Sequence, residues 1–159
     1  MTKSPGVKEL RDEIVDYWSD RSIGFNVATK ILLESNTQLR FQLRDLLNVD
    51  KSADVLDVCT GCGLMAIEMA RMGYSVTGID LSTQMIDLAI KTAGEAKLDI
   101  RFLVQDAVHP DFPDGSFDVI VAKDSLWNLT DPSAAIANWR KLLRPGGQLI
   151  IFDANHYLH

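Results

Sequence analysis

One glycine-rich turn, set between an apolar strand and an apolar helix, constrains this chain more than any other feature. Ala53-Asp54-Val55-Leu56-Asp57-Val58 reads as a short buried strand that ends in Cys59-Thr60-Gly61-Cys62-Gly63. Residues 64–72 follow as a helix, with Ala66, Ile67, Met69 and Ala70 apolar. A strand that passes through a tight turn directly into a helix opens a βαβ unit. The rest of the chain repeats the alternation. Further strands are expected at 74–79, 99–104, 116–122 and 148–153. Ser82 is a good N-cap for a helix to about Ala93, and Gly94 supplies its stop. Pro132 opens another helix at its first turn after Asp131, running to Leu143. Pro145-Gly146-Gly147 then turns the chain into the last strand.

This alternation predicts an α/β fold, a Rossmann-like, doubly wound and mostly parallel sheet with helices on both faces. Ligands of such sheets collect beyond the carboxyl ends of the strands. The residues there are the Gly-rich turn, then Asp80, Asp106, Lys123-Asp124 and Asp153. Upstream, residues 6–20 read as an amphipathic helix with Val7, Leu10, Ile14 and Tyr17/Trp18 on one face. A break is expected around Ser22-Ile23-Gly24, followed by short helices at 26–34 and 37–47. The expected organisation is an N-terminal helical cap, 1–50, on a ligand-binding core, 51–159, in one compact unit.

Composition excludes several classes. A 47% hydrophobic and 24% charged chain of 159 residues has ordinary globular make-up, so neither wholesale disorder nor a membrane bundle fits. The net charge is −6 with no basic patch, which argues against nucleic acid and anionic membranes as partners. No apolar run approaches the ~20 residues of a membrane span, and no apolar leader follows Met1. A cytoplasmic location is expected, with Cys59 and Cys62 reduced. His109, His156 and His159 are not at metal-ligand spacing, so no metal site is expected.

Gly61-Cys62-Gly63-Leu64-Met65-Ala66 fits the G-x-G-x-x-G/A nucleotide fingerprint, and Asp80 follows about 20 residues later, where a ribose-binding acid belongs. Asp57 narrows the ligand. A carboxylate beside this turn repels a pyrophosphate and favours a ligand with positive charge. S-adenosylmethionine has a sulfonium, an ammonium and a ribose, and no phosphate. An NAD-type oxidoreductase stays open as the alternative, as does a non-catalytic cofactor-binding protein. Cys59-Thr60-Gly61-Cys62 is also a C-x-x-C before a helix, a weaker redox reading. An Asp57 that only caps the N–H groups of the loop is the structural alternative.

Val55-Leu56-Asp57-Val58-Cys59-Thr60-Gly61-Cys62-Gly63 resembles motif I of class I S-adenosylmethionine-dependent methyltransferases, in the ubiquinone/menaquinone-methyltransferase-like branch. Val76-Thr77-Gly78-Ile79-Asp80-Leu81-Ser82 through Met85 is similar to the second motif, and Gln105-Asp106-Ala107 to the third. Phe112 to Ile120 and Leu142 to Leu149 resemble the lead-ins to strands four and five. The likeness runs over residues 53–154 in order. Cys59 stands where the family usually has its first glycine. The resemblance implies S-adenosylmethionine as cofactor and a small-molecule methyl acceptor. It implies Asp57, Gly61 and Gly63 at the methionine part, Asp80 on the ribose, and Asp106 at the adenine amino group. Leu81 and Met85 would pack on the adenine, Ala107 would offer backbone, and Lys123 would stand near the methyl group. Asp124 and His156 are the candidate general bases. Tyr17 and Phe25 are expected to cover the cofactor as a lid. Trp127 and Trp139 are expected to be packing residues.

The family's sheet resembles seven strands, the last two an antiparallel hairpin beside strand five, and this sequence ends shortly after strand five. The expectations are a fold lacking that hairpin, reduced turnover, and self-association through the open edge of strand five.

Overall fold

The computed structural model describes residues 6–35 and 37–153. Two N-terminal helices, α1 (Val7–Ser35) and α2 (Thr37–Leu46), precede the alternating region. That region runs β1 (Asp54–Val58), α3 (Leu64–Arg71), β2 (Ser75–Asp80), α4 (Thr83–Glu95), β3 (Arg101–Val104), β4 (Phe117–Lys123), α5 (Pro132–Leu142) and β5 (Leu143–Phe152). All pairings are parallel, and the order is β3-β2-β1-β4-β5. The order reverses at β1, so β1 and β4 flank the crevice where such sheets bind ligands.

Strand periodicity divides the core in two. Val55, Val76, Val119 and Val121 face one side, against Ile67 and Met69 of α3, Ala93 of α4 and Leu43 of α2. Leu56, Val58, Ile79 and Ile120 face the other, against Ala135, Trp139 and Leu142 of α5. Residues 105–116 cross from β3 to β4 with no helix. Trp139 is fully buried, and its Nε1 donates to the Ala107 carbonyl at 2.7 Å, so α5 holds the loop after β3 in place. On the opposite side, the buried Glu68 of α3 accepts from Arg40 Nε at 2.6 Å and Arg71 Nη1 at 3.0 Å, which ties α2 to α3.

Several boundaries differ from the sequence expectation. The chain does not break at residues 22–24; α1 is one helix of 29 residues. A glycine inside a helix costs about 1 kcal/mol, and tertiary contacts on the inward face offset it. Ser19 reaches Ser82 and Gln84, Asn26 accepts from Thr92, Lys30 pairs with Glu95, and Ser22 and Thr29 are buried. Helix α4 does not stop at Gly94. It runs to Glu95, and Lys97 takes the left-handed conformation beyond it, at φ 56°. The Pro145-Gly146-Gly147 segment is a bulge inside β5 rather than a turn before it, since Phe117 faces Leu143 while Val119 already faces Gln148. A side chain at Gly147 would place its Cβ 2.9 Å from the Asp118 carbonyl, so only glycine fits there. The N-caps are as expected. Ser82 accepts from the Met85 N–H and Asp131 from the Ala134 N–H.

The two functions of Trp139 separate in variants. Trp139→Ala should cost about 3–5 kcal/mol in urea unfolding, as a large core side chain. Trp139→Phe keeps most of the packing and orphans the Ala107 carbonyl, at about 1–3 kcal/mol.

Candidate functional site

The carboxyl ends of β1, β2, β3 and β4 open into a cavity of about 360 Å³, and α1 closes it from the far side. The turn after β1 forms the floor. Asp57 is 1% exposed. Its Oδ2 accepts from the Thr60 hydroxyl at 2.5 Å and from the Ala66 N–H at 3.0 Å, so it clamps the turn to the first coil of α3. Burial pushes this carboxyl up to about 7 against those two hydrogen bonds, with a small push from the Asp80 charge. Asp57 thus caps the N–H groups of the loop, and it also lines the cavity.

Gly61 has φ 55° and lies under the Phe25 ring. An added Cβ would sit 3.1 Å from that ring's edge. Cys59, where the motif usually has glycine, also holds a positive φ of 55°, a conformation that favours glycine. Gly63 starts α3 at φ 89°, but its surroundings are Ala89, Phe102 and Ile67, so it shapes the turn from the packing side.

Asp80 ends β2. Its Oδ2 accepts from the Gly61 N–H at 2.9 Å and its Oδ1 from the Ser82 N–H at 3.0 Å. Burial raises this carboxyl above its usual range. Beyond β3, Asp106 Oδ1 accepts from the Val108 N–H at 2.8 Å, while its Oδ2 lies 3.7 Å from Arg11 Nε of α1. Leu81, Met85 and Ala107 supply apolar walls. After β4, Lys123 forms an ion pair with Asp124, whose N–H donates to the Phe152 carbonyl of β5 at 2.7 Å. Asp57, Gly61, Asp80, Leu81, Met85, Asp106, Ala107, Lys123 and Asp124 therefore share one cavity. His156 lies outside the described residues.

The lid differs in detail from the sequence reading. Phe25 lines the cavity, but Tyr17 does not; it is 45% exposed, with the Arg21 guanidinium 3.6 Å above its ring. One residue advances a helix by about 100°, and Trp18 is the one turned inward. Trp127, expected to be a packing residue, is 42% exposed at the cavity rim. Arg11, which the sequence expectation does not include, also lines the cavity. Its only sequence signal was a charge near the apolar stripe of α1. Burial disfavours the thiolate form of both cysteines. Burial pushes Cys62 up to about 12, and burial with the charges of Asp80, Asp57 and Asp106 pushes Cys59 well up.

Residues 56–151, more than half of the chain, match the methyltransferase domain family model. The chain belongs to this family. Its relatives include the demethylmenaquinone methyltransferase of Deinococcus radiodurans, 38% identical over 62% of this chain and 42% of that protein. The 27-O-demethylrifamycin SV methyltransferase of Amycolatopsis mediterranei is 36% identical over 86% of this chain and 49% of its own length. Phosphoethanolamine N-methyltransferase 3 of Arabidopsis thaliana is 36% identical over 69% of this chain and 22% of its own. This chain thus spans less than half the length of each of these three relatives. Among solved structures, the [4+2]-cyclase SpnF superposes with a TM-score of 0.67 at 31% identity, covering 71% of this chain and 43% of that one. A Haemonchus contortus phosphoethanolamine N-methyltransferase with bound S-adenosylhomocysteine gives 0.76 at 19% identity, covering 92% and 33%. That likeness is one of fold. Family membership sets aside the NAD-type oxidoreductase.

The buried Asp57 makes stability depend on pH. This carboxyl titrates near 3.8 when exposed and near 7 in the fold, so the folded state holds its proton over that window. A raised acid pKa favours the fold at low pH, and that contribution is lost as pH rises through about 7. Asp57→Asn lacks the titration. The melting temperature of the variant relative to the parent should climb between about pH 4 and pH 7 and then level off. A difference independent of pH would show that Asp57 is ionised throughout.

Proposed function

We propose that the chain transfers a methyl group from S-adenosylmethionine to a small-molecule acceptor. Asp80 carries the reading. A carboxylate oxygen accepts two hydrogen bonds, and the Gly61 and Ser82 N–H groups use one site on each oxygen. The Leu81 N–H also bears on this carboxylate, and at least one of its four acceptor sites is left for a ribose hydroxyl at the cavity floor. The rest of the donor set fits the same ligand. Asp106 has one oxygen engaged by Val108 and the other only loosely by Arg11, which leaves an acceptor for an adenine amino group. Leu81, Met85 and Ala107 offer apolar surface to the base. Asp57 and Gly61 face the methionine part, and the carboxyls of this cavity suit a ligand with positive charge.

When bound, S-adenosylmethionine supplies an electrophilic methyl group on a positively charged sulfur. The residues of the chain mainly orient the partners and keep water away, which is where most of the acceleration of such a transfer lies. Trp18 and Phe25 of α1 close the cavity. Lys123 orients the Asp124 carboxylate, which takes up the acceptor's proton where one must leave; His156 is the second candidate. The names of the relatives support a small-molecule acceptor. The helices of residues 1–50 act as a cap on the core of 51–159, in a cytoplasmic protein. A fold that also serves a cyclase does not fix the reaction by itself, so turnover needs a direct test. At β5, Ile151 is 38% exposed on an edge that no described strand covers. An apolar edge with no strand neighbour among the described residues supports self-association there.

Calorimetry should show S-adenosylmethionine and S-adenosylhomocysteine binding, and no binding of NAD. Tighter binding of NAD would overturn the reading. Charge-assisted hydrogen bonds contribute about 1.5–3 kcal/mol each, so Asp80→Ala should weaken S-adenosylhomocysteine by about tenfold or more. Binding without methyl transfer to any quinol, phenol or amine would favour the non-catalytic alternative. Sedimentation should show a dimer at high micromolar concentration, with slowed hydrogen exchange at 148–152. A monomer under those conditions would remove the edge from the proposal.

A further inference from the structure

Helix α1 roofs the cavity along most of its length, from Arg11 through Ile14, Trp18 and Phe25 to Leu32. Its middle holds Gly24, with 17 residues of the helix before it and 11 after it. Packing does not ask for glycine there. A Cβ added at Gly24 would meet nothing within 4 Å, and its backbone lies outside the left-handed region. Gly61, Gly63 and Gly147 differ, because each has a positive φ or a neighbour that a side chain would strike. Glycine at position 24 therefore weakens the helix locally and returns nothing in packing. Sharp bends of long helices concentrate at Gly/Ser pairs, and Ser22 stands two residues before Gly24.

The two arms of α1 are held differently. The arm after Gly24 is anchored in the core. Thr29 and Leu33 are buried, Asn26 accepts from Thr92, and Lys30 pairs with Glu95. The Leu33 carbonyl accepts from Arg40 and, at 2.9 Å, from Arg71 Nη1. Phe25 lies over the glycine turn, 3.1 Å from where a Gly61 Cβ would sit. Ser22, at the joint, is buried, with the Cys62 Sγ 3.7 Å from its carbonyl. Before it the burial stops. No residue of α1 from 7 to 21 is buried. This front arm rests on the rim. Ser19 bonds to Ser82 and Gln84 at 3.0 Å each, the Trp18 and Trp127 rings meet edge-on at 6.2 Å, and Arg11 Nε approaches Asp106 to 3.7 Å. Arg11 is 13 residues from Gly24, about 20 Å along the axis, so a bend of about 20° at the glycine moves it about 7 Å.

Given that this cavity holds S-adenosylmethionine, on which this rests, we propose that Gly24 is a hinge in α1. The front arm, residues 7–23, swings on it as a gate over the cofactor, and that motion sets the rate of cofactor exchange. Stopped-flow tryptophan fluorescence of the full chain follows S-adenosylhomocysteine binding, with Trp18 and Trp127 at the cavity as reporters. Gly24→Ala fits without a clash. The helix preference of alanine makes the bent state about fivefold rarer. Association and dissociation should both slow by about fivefold, and the dissociation constant should stay within about twofold. Gly94→Ala is the control. It makes the same change at an open position of α4 outside the cavity lining, and it should leave both rates unchanged. Hydrogen exchange gives a second readout. The N–H groups of residues 25–28 bond to the carbonyls of 21–24, and a bend at Gly24 breaks them. In the ligand-free chain these amides should exchange faster than those of both 15–20 and 29–33, and saturating S-adenosylhomocysteine should remove the difference. Rates indifferent to Gly24→Ala, or slowed equally by Gly94→Ala, overturn the proposal. So does exchange that falls smoothly from the N-terminus, which is fraying and not a hinge. Failure of S-adenosylhomocysteine to bind the parent chain overturns the cofactor reading, and this with it; normal binding at rates insensitive to Gly24→Ala overturns this alone.

Discussion

The site hangs on a glycine turn clamped between two carboxylates. Asp57, at the end of β1, takes hydrogen bonds from Thr60 and Ala66 and so fixes how the chain enters α3. Asp80, at the end of the neighbouring β2, takes the Gly61 N–H at the crest of the same turn. The turn is therefore held from both sides. Its conformation is unfavourable for ordinary residues, with Cys59, Gly61 and Gly63 all at positive φ. Tertiary clamping of this kind sustains local strain where a ligand must approach the backbone closely. The register of β1 against β2, Asp57 beside Gly78 and Val58 beside Ile79, brings the two carboxylates to one end of the sheet.

That arrangement concentrates acidic groups where water is scarce. Desolvation raises Asp57 and Asp80, and the combined field of Asp80, Asp57 and Asp106 reaches the Cys59 thiol. Buried like charges are costly unless a positive group joins them. A positively charged group placed among these carboxyls offsets that cost. The cations at the rim do not take that place. Arg11 stays 3.7 Å from Asp106, and Lys123 is turned to Asp124.

Helix α1 joins the cap to this chemistry through an unusual division of its faces. The face against α4 is small and polar, with Ser19, Ser22, Asn26 and Thr29, and its hydrogen bonds to Ser82, Gln84 and Thr92 fix the helix in position. The adjoining face carries Ile14, Trp18 and Phe25 over the cavity. Directional polar contacts specify position better than an apolar seam of similar area, which tolerates sliding. The roof of the site thus inherits its placement from hydrogen bonds to the helix that begins immediately after Asp80.

Much of this was written in local sequence. The strand-turn-helix rhythm, the caps at Ser82 and Asp131, and the convergence of Asp57, Gly61, Asp80, Asp106 and Lys123-Asp124 at one sheet edge follow from period, turn chemistry and the rule for parallel sheets, all of which act over a few residues or through one topology. The length of α1 did not follow, because the contacts that carry it past Gly24 come from α4, more than 60 residues away. Nor did the stop of α4 or the bulge in β5, where neighbouring elements override the preferences of glycine and proline. Least legible was the mouth of the cavity. Trp18 rather than Tyr17 faces inward because of the rotational phase of α1, and Trp18 meets Trp127 only when the helix docks on the sheet. Spacing along a chain reports which groups share an element. Which groups meet across elements is decided by packing, and the mouth of this cavity is made entirely of such meetings.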